Sequence, residues 1–153
     1  MSCRCEIKKI NEILYFSGRL DETFHKVADQ ISIQGEYSFN LKDMASINSS
    51  GVRQWILLMR KMKDTAIFLY ECPKVFIDQT NMVKDFLPFN AKIMSFFVPY
   101  YNEKNGTEKS VLFVLNQDYT HKEILPLKKV IDEKGDEMEI DAVESKYFRF
   151  IKA

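Results

Sequence analysis

Ile47-Asn48-Ser49-Ser50-Gly51-Val52 separates two stretches with different periodicity. Before it, Tyr37, Phe39 and Leu41 alternate with a period of two, which predicts a strand. After it, Val52, Trp55, Ile56, Met59 and Met62 recur at helical spacing, with Arg53, Gln54, Arg60 and Lys61 opposite. Asn48 or Ser49 is then the residue that caps the helix. The hydroxyls of Ser49 and Ser50 fall where the first helical N–H groups have no intrahelical partner, a place that favours negative charge. A phosphate added there would leave the fold intact and change what binds to it.

The same alternation of patterns extends in both directions. Ile7 to Leu20 reads as two strands around Lys9-Ile10-Asn11-Glu12, with Ile13, Tyr15 and Ser17 on one face and Leu14 and Phe16 on the other. Gly18-Arg19-Leu20-Asp21 closes the second strand, and Asp21 is placed to cap a helix carrying Phe24, Val27, Ala28 and Ile31. Ala66 to Tyr70 is a continuous apolar run, as expected of a central strand covered on both faces. Pro73 suits the first turn of a third helix, whose buried side would be Phe76, Thr80, Val83, Phe86 and Leu87. A strand follows over 93–98. Strands alternating with helices make residues 1–100 an α/β layer with a mixed sheet. Residues 101–153 read as a small β-rich appendage: a strand over 111–115, a hairpin around Lys134-Gly135-Asp136, and a closing helix over 142–150.

Composition excludes several functions. Lys plus Arg and Asp plus Glu each total 22 in 153 residues, and neither half is strongly biased, so nothing recruits nucleic acid or an anionic membrane. No apolar run is long enough to span a membrane, and three cysteines without a secretion signal point to the cytoplasm. Cys3 and Cys5 with Cys72 complete no metal site. His25 and His121 have no nucleophile partner at a recognisable spacing, so no catalytic residue is assigned. Only five glycines are present, and no nucleotide-binding fingerprint can be written with them, so no cofactor is expected. Phe96-Phe97 and Tyr100-Tyr101 read as core or subunit packing, and Met59, Met62 and Met82 as core fillers.

In order, Gly18-Arg19-Leu20-Asp21, Leu41 to Asn48-Ser49-Ser50-Gly51, the helix after Gly51, and Cys72-Pro73 resemble the STAS domain of bacterial anti-sigma factor antagonists over roughly residues 5–100. The resemblance implies a regulator that binds a protein partner, an anti-sigma kinase or related signalling protein, with no enzymatic activity of its own. It implies that Ser50 is the phospho-acceptor and that Asp21, Asn48, Ser49, Ser50, Gly51 and Arg53 form the partner surface. Asn48 stands where the family has an aspartate, so a constitutive scaffold or signalling-complex subunit that has lost phosphoregulation is the alternative. The appendage is also similar to a small zinc ribbon. The places where its paired cysteines would be expected, near Asn102–Asn105 and Lys128–Ile131, hold none. That leaves a Phe, Tyr and Val core to hold the appendage together without metal.

Overall fold

The computed structural model describes residues 3–32 and 35–151; Met1, Ser2, Ile33, Gln34, Lys152 and Ala153 lie outside the described residues. A hairpin opens the chain, β1 (Cys5–Ile10) and β2 (Ile13–Leu20), joined by Asn11 and Glu12, both at positive φ as a two-residue hairpin turn requires. A short helix, α1 (His25–Ala28), leads to the long β3 (Glu36–Ile47). Then come α2 (Ser49–Lys61), β4 (Ala66–Tyr70), α3 (Lys74–Met82) and β5 (Ala91–Ile93). These five strands form one mixed sheet in sequence order, antiparallel between β1 and β2 and parallel from β2 to β5.

Each parallel step runs to the next strand on the same side, and each crossover is right-handed by the usual chirality of such units. All the crossover helices therefore lie on one face. Phe16 of β2 and Phe39 of β3 project onto that face and meet Trp55 of α2 edge-on. Trp55 also packs against Phe76 of α3 and Phe86, and its indole N–H donates to the Phe86 carbonyl at 3.0 Å. Burying that ring without its hydrogen bond would leave a polar group unpaired in the core. Asn90 ties down the far end of α2, donating to the carbonyls of Met62 and Thr65.

A second sheet is made of β6 (Ser95–Tyr101), β7 (Glu108–Val114) and β8 (Glu139–Ile140), in the order β7-β6-β8. It begins inside the first hundred residues, because only Met94 separates β5 from β6. Its inner side carries Phe96 and Phe113, which pack with Tyr119, Tyr147, Phe148 and Phe150. The last three come from the closing turns, α4 (Glu144–Tyr147) with its C-cap Phe148 and a 3-10 turn, Arg149–Ile151. Asn81 of α3 clamps this segment to the first layer: its amide donates to the Tyr147 carbonyl, and its oxygen accepts from Phe150 N–H.

Some expectations change. The helix after Asp21 starts later and is a single turn, because Asp21 holds a turn ahead of it. The buried side of α3 is Phe76 and Ile77, and the helix ends at Met82 before Val83. Met82 is 71% exposed and fills no core gap. The run Ala66 to Tyr70 is covered on one face only: Ile67 and Leu69 are buried, whereas Phe68 and Tyr70 are half-exposed and Ala66 is exposed.

Aromatic packing is not alone in holding the appendage. Asp132 is buried, and its carboxylate accepts from the Asn102 side chain at 2.8 Å and the Asn105 side chain at 3.2 Å. Its other oxygen accepts from the backbone N–H groups of Lys134 and Asp136. Asn102 and Asn105 in turn accept from Lys104 and Thr107 N–H. The knot joins the β6–β7 loop to the 132–136 turn, not to Lys128–Ile131. Its amide donors face a carboxylate and offer no thiolate, so the set does not fit a zinc ion.

Hydrogen bonds from Asn102 and from Asp136 N–H, opposed by burial, lower the Asp132 pKa to about 2. A carboxylate lowered on folding stabilises the structure above its ordinary pKa and loses that contribution as pH falls toward the folded value. The knot should therefore loosen between about pH 4 and about pH 2. In amide hydrogen exchange, the 102–107 loop should lose protection across that window while α2 keeps it. Asp132→Asn should show a loosened loop at neutral pH and no further change across the window.

Candidate functional site

The long β3 delivers the site. Its C-terminal part outruns β4 and pairs only with β2, through two register shifts, as far as Leu20 opposite Ile47. The ends of β2 and β3 thus leave the sheet side by side, and Asn48 N–H bonds the Leu20 carbonyl at 3.1 Å. The first turn of α2 then lies directly on the Leu20–Asp21 peptide. A Cβ on Gly51 would stand 2.0 Å from the Leu20 oxygen and 3.1 Å from the Asp21 nitrogen. Gly18 has a matching role one strand away. It sits at φ +97°, and a Cβ there would meet the Arg4 oxygen at 2.2 Å. Arg19 N–H bonds that same oxygen at 3.0 Å, which brings the residues before β1 up to the site.

Asn48 is the helix cap: its side-chain oxygen accepts from Gly51 N–H at 2.8 Å, and its carbonyl accepts from Val52 N–H at 2.9 Å. An asparagine satisfies this geometry as well as an aspartate. Its amide N–H faces Glu22 at 3.4 Å, so a carboxylate stands beside the cap although position 48 is neutral. Ser49 and Ser50 are both exposed, in a first turn with no acidic residue. Arg53 is exposed one turn further on, at the i+3 spacing from Ser50 that places two side chains on one helical face.

Asp21 lies beneath this surface and not on it. It is 3% exposed. One oxygen accepts from Thr23 N–H at 2.9 Å and the Thr23 hydroxyl at 2.6 Å, and the other takes Arg4 at 2.7 Å. The Thr23 hydroxyl, with Arg4 adding to it against the penalty of burial, lowers the Asp21 pKa to about 2. Asp21 therefore shapes the 20–23 turn on which Gly51 rests. The exposed groups there are Arg4, which also lies 3.6 Å from Glu22, and Glu22 itself. Arg4, Glu22 and Thr23 gave no signal in the sequence. Arg4 reaches the site through strand pairing, and only the register of β1 on β2 shows it.

The other candidate groups form no cluster here. His25 is exposed, with Nδ1 2.9 Å from the Glu22 carbonyl oxygen, and His121 is exposed in the loop after Tyr119. Cys3, Cys5 and Cys72 are unbridged; burial pushes the Cys5 thiol up to about 12 and Cys72 higher, so neither is a ready nucleophile. Among the described residues, no group of His, Cys, Asp or Glu could hold a metal ion, and no helix is long and apolar enough to cross a membrane.

The contact at Gly51 is backbone against backbone, with no flexible side chain to give way. Gly51→Ala should destabilise the protein by about 2 kcal/mol or more in denaturant titration, although alanine is the better helix former. Ser50→Ala, at an exposed position outside the cap, should change stability by less than about 0.5 kcal/mol. Compared with family models, curated proteins and solved structures, the chain matches none.

Proposed function

We propose that this chain is a STAS-type regulator that binds a signalling protein through the surface around Asn48, Ser49, Ser50, Gly51 and Arg53, and that phosphate on Ser50 switches the binding. One observation carries the reading. Asn48 makes the capping bond, so the hydroxyl of Ser50 is exposed at the helix start with no structural duty. A phosphate there would bring nearly two negative charges to the positive end of α2, with Arg53 on the same face to meet it. The helix would tolerate the group, and a partner docked on the same spot would be displaced by bulk and repulsion. The partner class is a serine kinase of the anti-sigma type or a related signalling protein. The charge that position 48 lacks is partly restored by Glu22.

Co-expression with such a kinase and phosphopeptide mass spectrometry should place phosphate on Ser50. Ser50→Asp should weaken partner binding at least about tenfold without lowering the melting temperature, and Ser50→Ala should hold binding at the unmodified level. Absence of phosphate, with both variants binding as the parent does, would leave the constitutive scaffold in its place.

A further inference from the structure

The sheet face turned away from the helices carries two cross-strand rows. Lys8, Tyr15, Asn40 and Tyr70 are direct partners on β1 to β4. Ile10, Ile13, Ser38, Phe68 and Lys92 form the neighbouring row on β1 to β5. The large side chains, Ile13, Tyr15, Phe68 and Tyr70, are only half-buried, and none of them is part of the core or packed against it. Their arrangement is not flat. Ser38 and Asn40 of β3 form a low floor, with the taller residues of β2 and β4 on either side. The backbones of those walls stand two strand spacings apart, roughly 9.5 Å, which leaves a furrow about one side chain wide into which a single stripe of a helix lying above the sheet can insert. Asn40 is fixed in the floor: its amide donates to Glu71 and its oxygen accepts from Lys42 N–H at 3.0 Å.

We propose that this trough docks an amphipathic helix of a partner protein, one with an aliphatic stripe and acidic residues along both flanks of the stripe. The charge layout selects that chemistry. Lys8 stands outside one wall and Lys92 outside the other. Glu36 lies beyond one end of the trough, and Glu6 and Asp43 lie beyond the other. A helix lying along β3 therefore meets cations on its flanks, while the anions Glu6, Asp43 and Glu71, the last held by the Asn40 amide, gather with Lys42 at one end and Glu36 stands at the other. Aromatic anchors surrounded by a charged rim have the composition of a protein interface. Ile10 and Ile13 occupy one side, and aliphatic side chains give bases nothing to stack on, so a nucleic-acid strand fits only half the trough. The two rows cover roughly 300–400 Å², well short of the roughly 800 Å² per partner of a stable dimer, so a second copy is a poor occupant. The proposal does not rest on Ser50, because α2 lies on the opposite side of the sheet.

The test titrates the full chain with two synthetic helical peptides that share a leucine stripe, one flanked by glutamates and one by lysines. The glutamate peptide should bind and shift the NMR resonances of Tyr15, Ser38, Phe68 and Tyr70, and the lysine peptide should bind at least about tenfold more weakly. Phe68→Glu should abolish binding, and Leu57→Glu, on the exposed side of α2, should not. If Phe68→Glu does not fold, Lys8→Glu combined with Lys92→Glu should reverse the preference between the peptides. Equal binding of the two peptides, no binding of either, or a footprint outside the trough would overturn the proposal. So would binding of poly(U), or self-association of the chain that depends on Phe68.

Discussion

Handedness is the constraint on which the rest of this molecule depends. A parallel sheet whose strands follow one another in sequence order always advances the same way, and right-handed crossovers then have one side of the sheet available to them. Sheets with helices on both faces reverse direction partway; this one does not. The core is consequently one-sided. Trp55, Phe16, Phe39 and Phe76 concentrate on the helical face, and Phe68 and Tyr70 are left on the other without a layer above them. The second sheet attaches beyond β5, the last strand of this sheet, and also bridges Cys72 after β4.

Close backbone contact does at the site what side-chain packing does in the core. Leu20 and Gly51 approach so nearly that the start of α2 has one position relative to the end of β2. Arg4, Asp21 and Thr23 then hold the turn on which it rests. The side chains left over, Ser49, Ser50 and Arg53, are exposed. A surface built this way can change its exposed groups while its shape stays fixed.

Much of this was legible in the residues. The alternation in β2 and β3 and the helical stripe from Val52 to Met62 each reflect a local period imposed by burial, and periods survive in sequence. A cap at Asn48 or Ser49 was legible for the same reason, since it answers a local backbone need; the close approach of Gly51 to the distant Leu20–Asp21 peptide was not. What could not be read depends on pairing between distant segments. Arg4 meets Asp21 only because β1 folds back on β2. Asp132 meets Asn102 only because two loops of the appendage come together. The apolar run of β4 misled because hydrophobicity records what a residue tolerates, and says nothing of whether the fold supplies a layer to cover it.

The passage from β5 into β6 has an evolutionary consequence. Residues 91–93 bond to β4, Met94 bonds to both Leu69 and Leu115, and residues 95–101 bond to β7, so one length of chain belongs to both sheets. Modules that are shuffled between genes are joined by linkers that can be cut without loss to either side. Here the joint is itself a strand, and a break near residue 100 would strip Phe96 and Val98 of their covering. A cut there would cost both sheets packing, so neither part is expected to stand as a separable module.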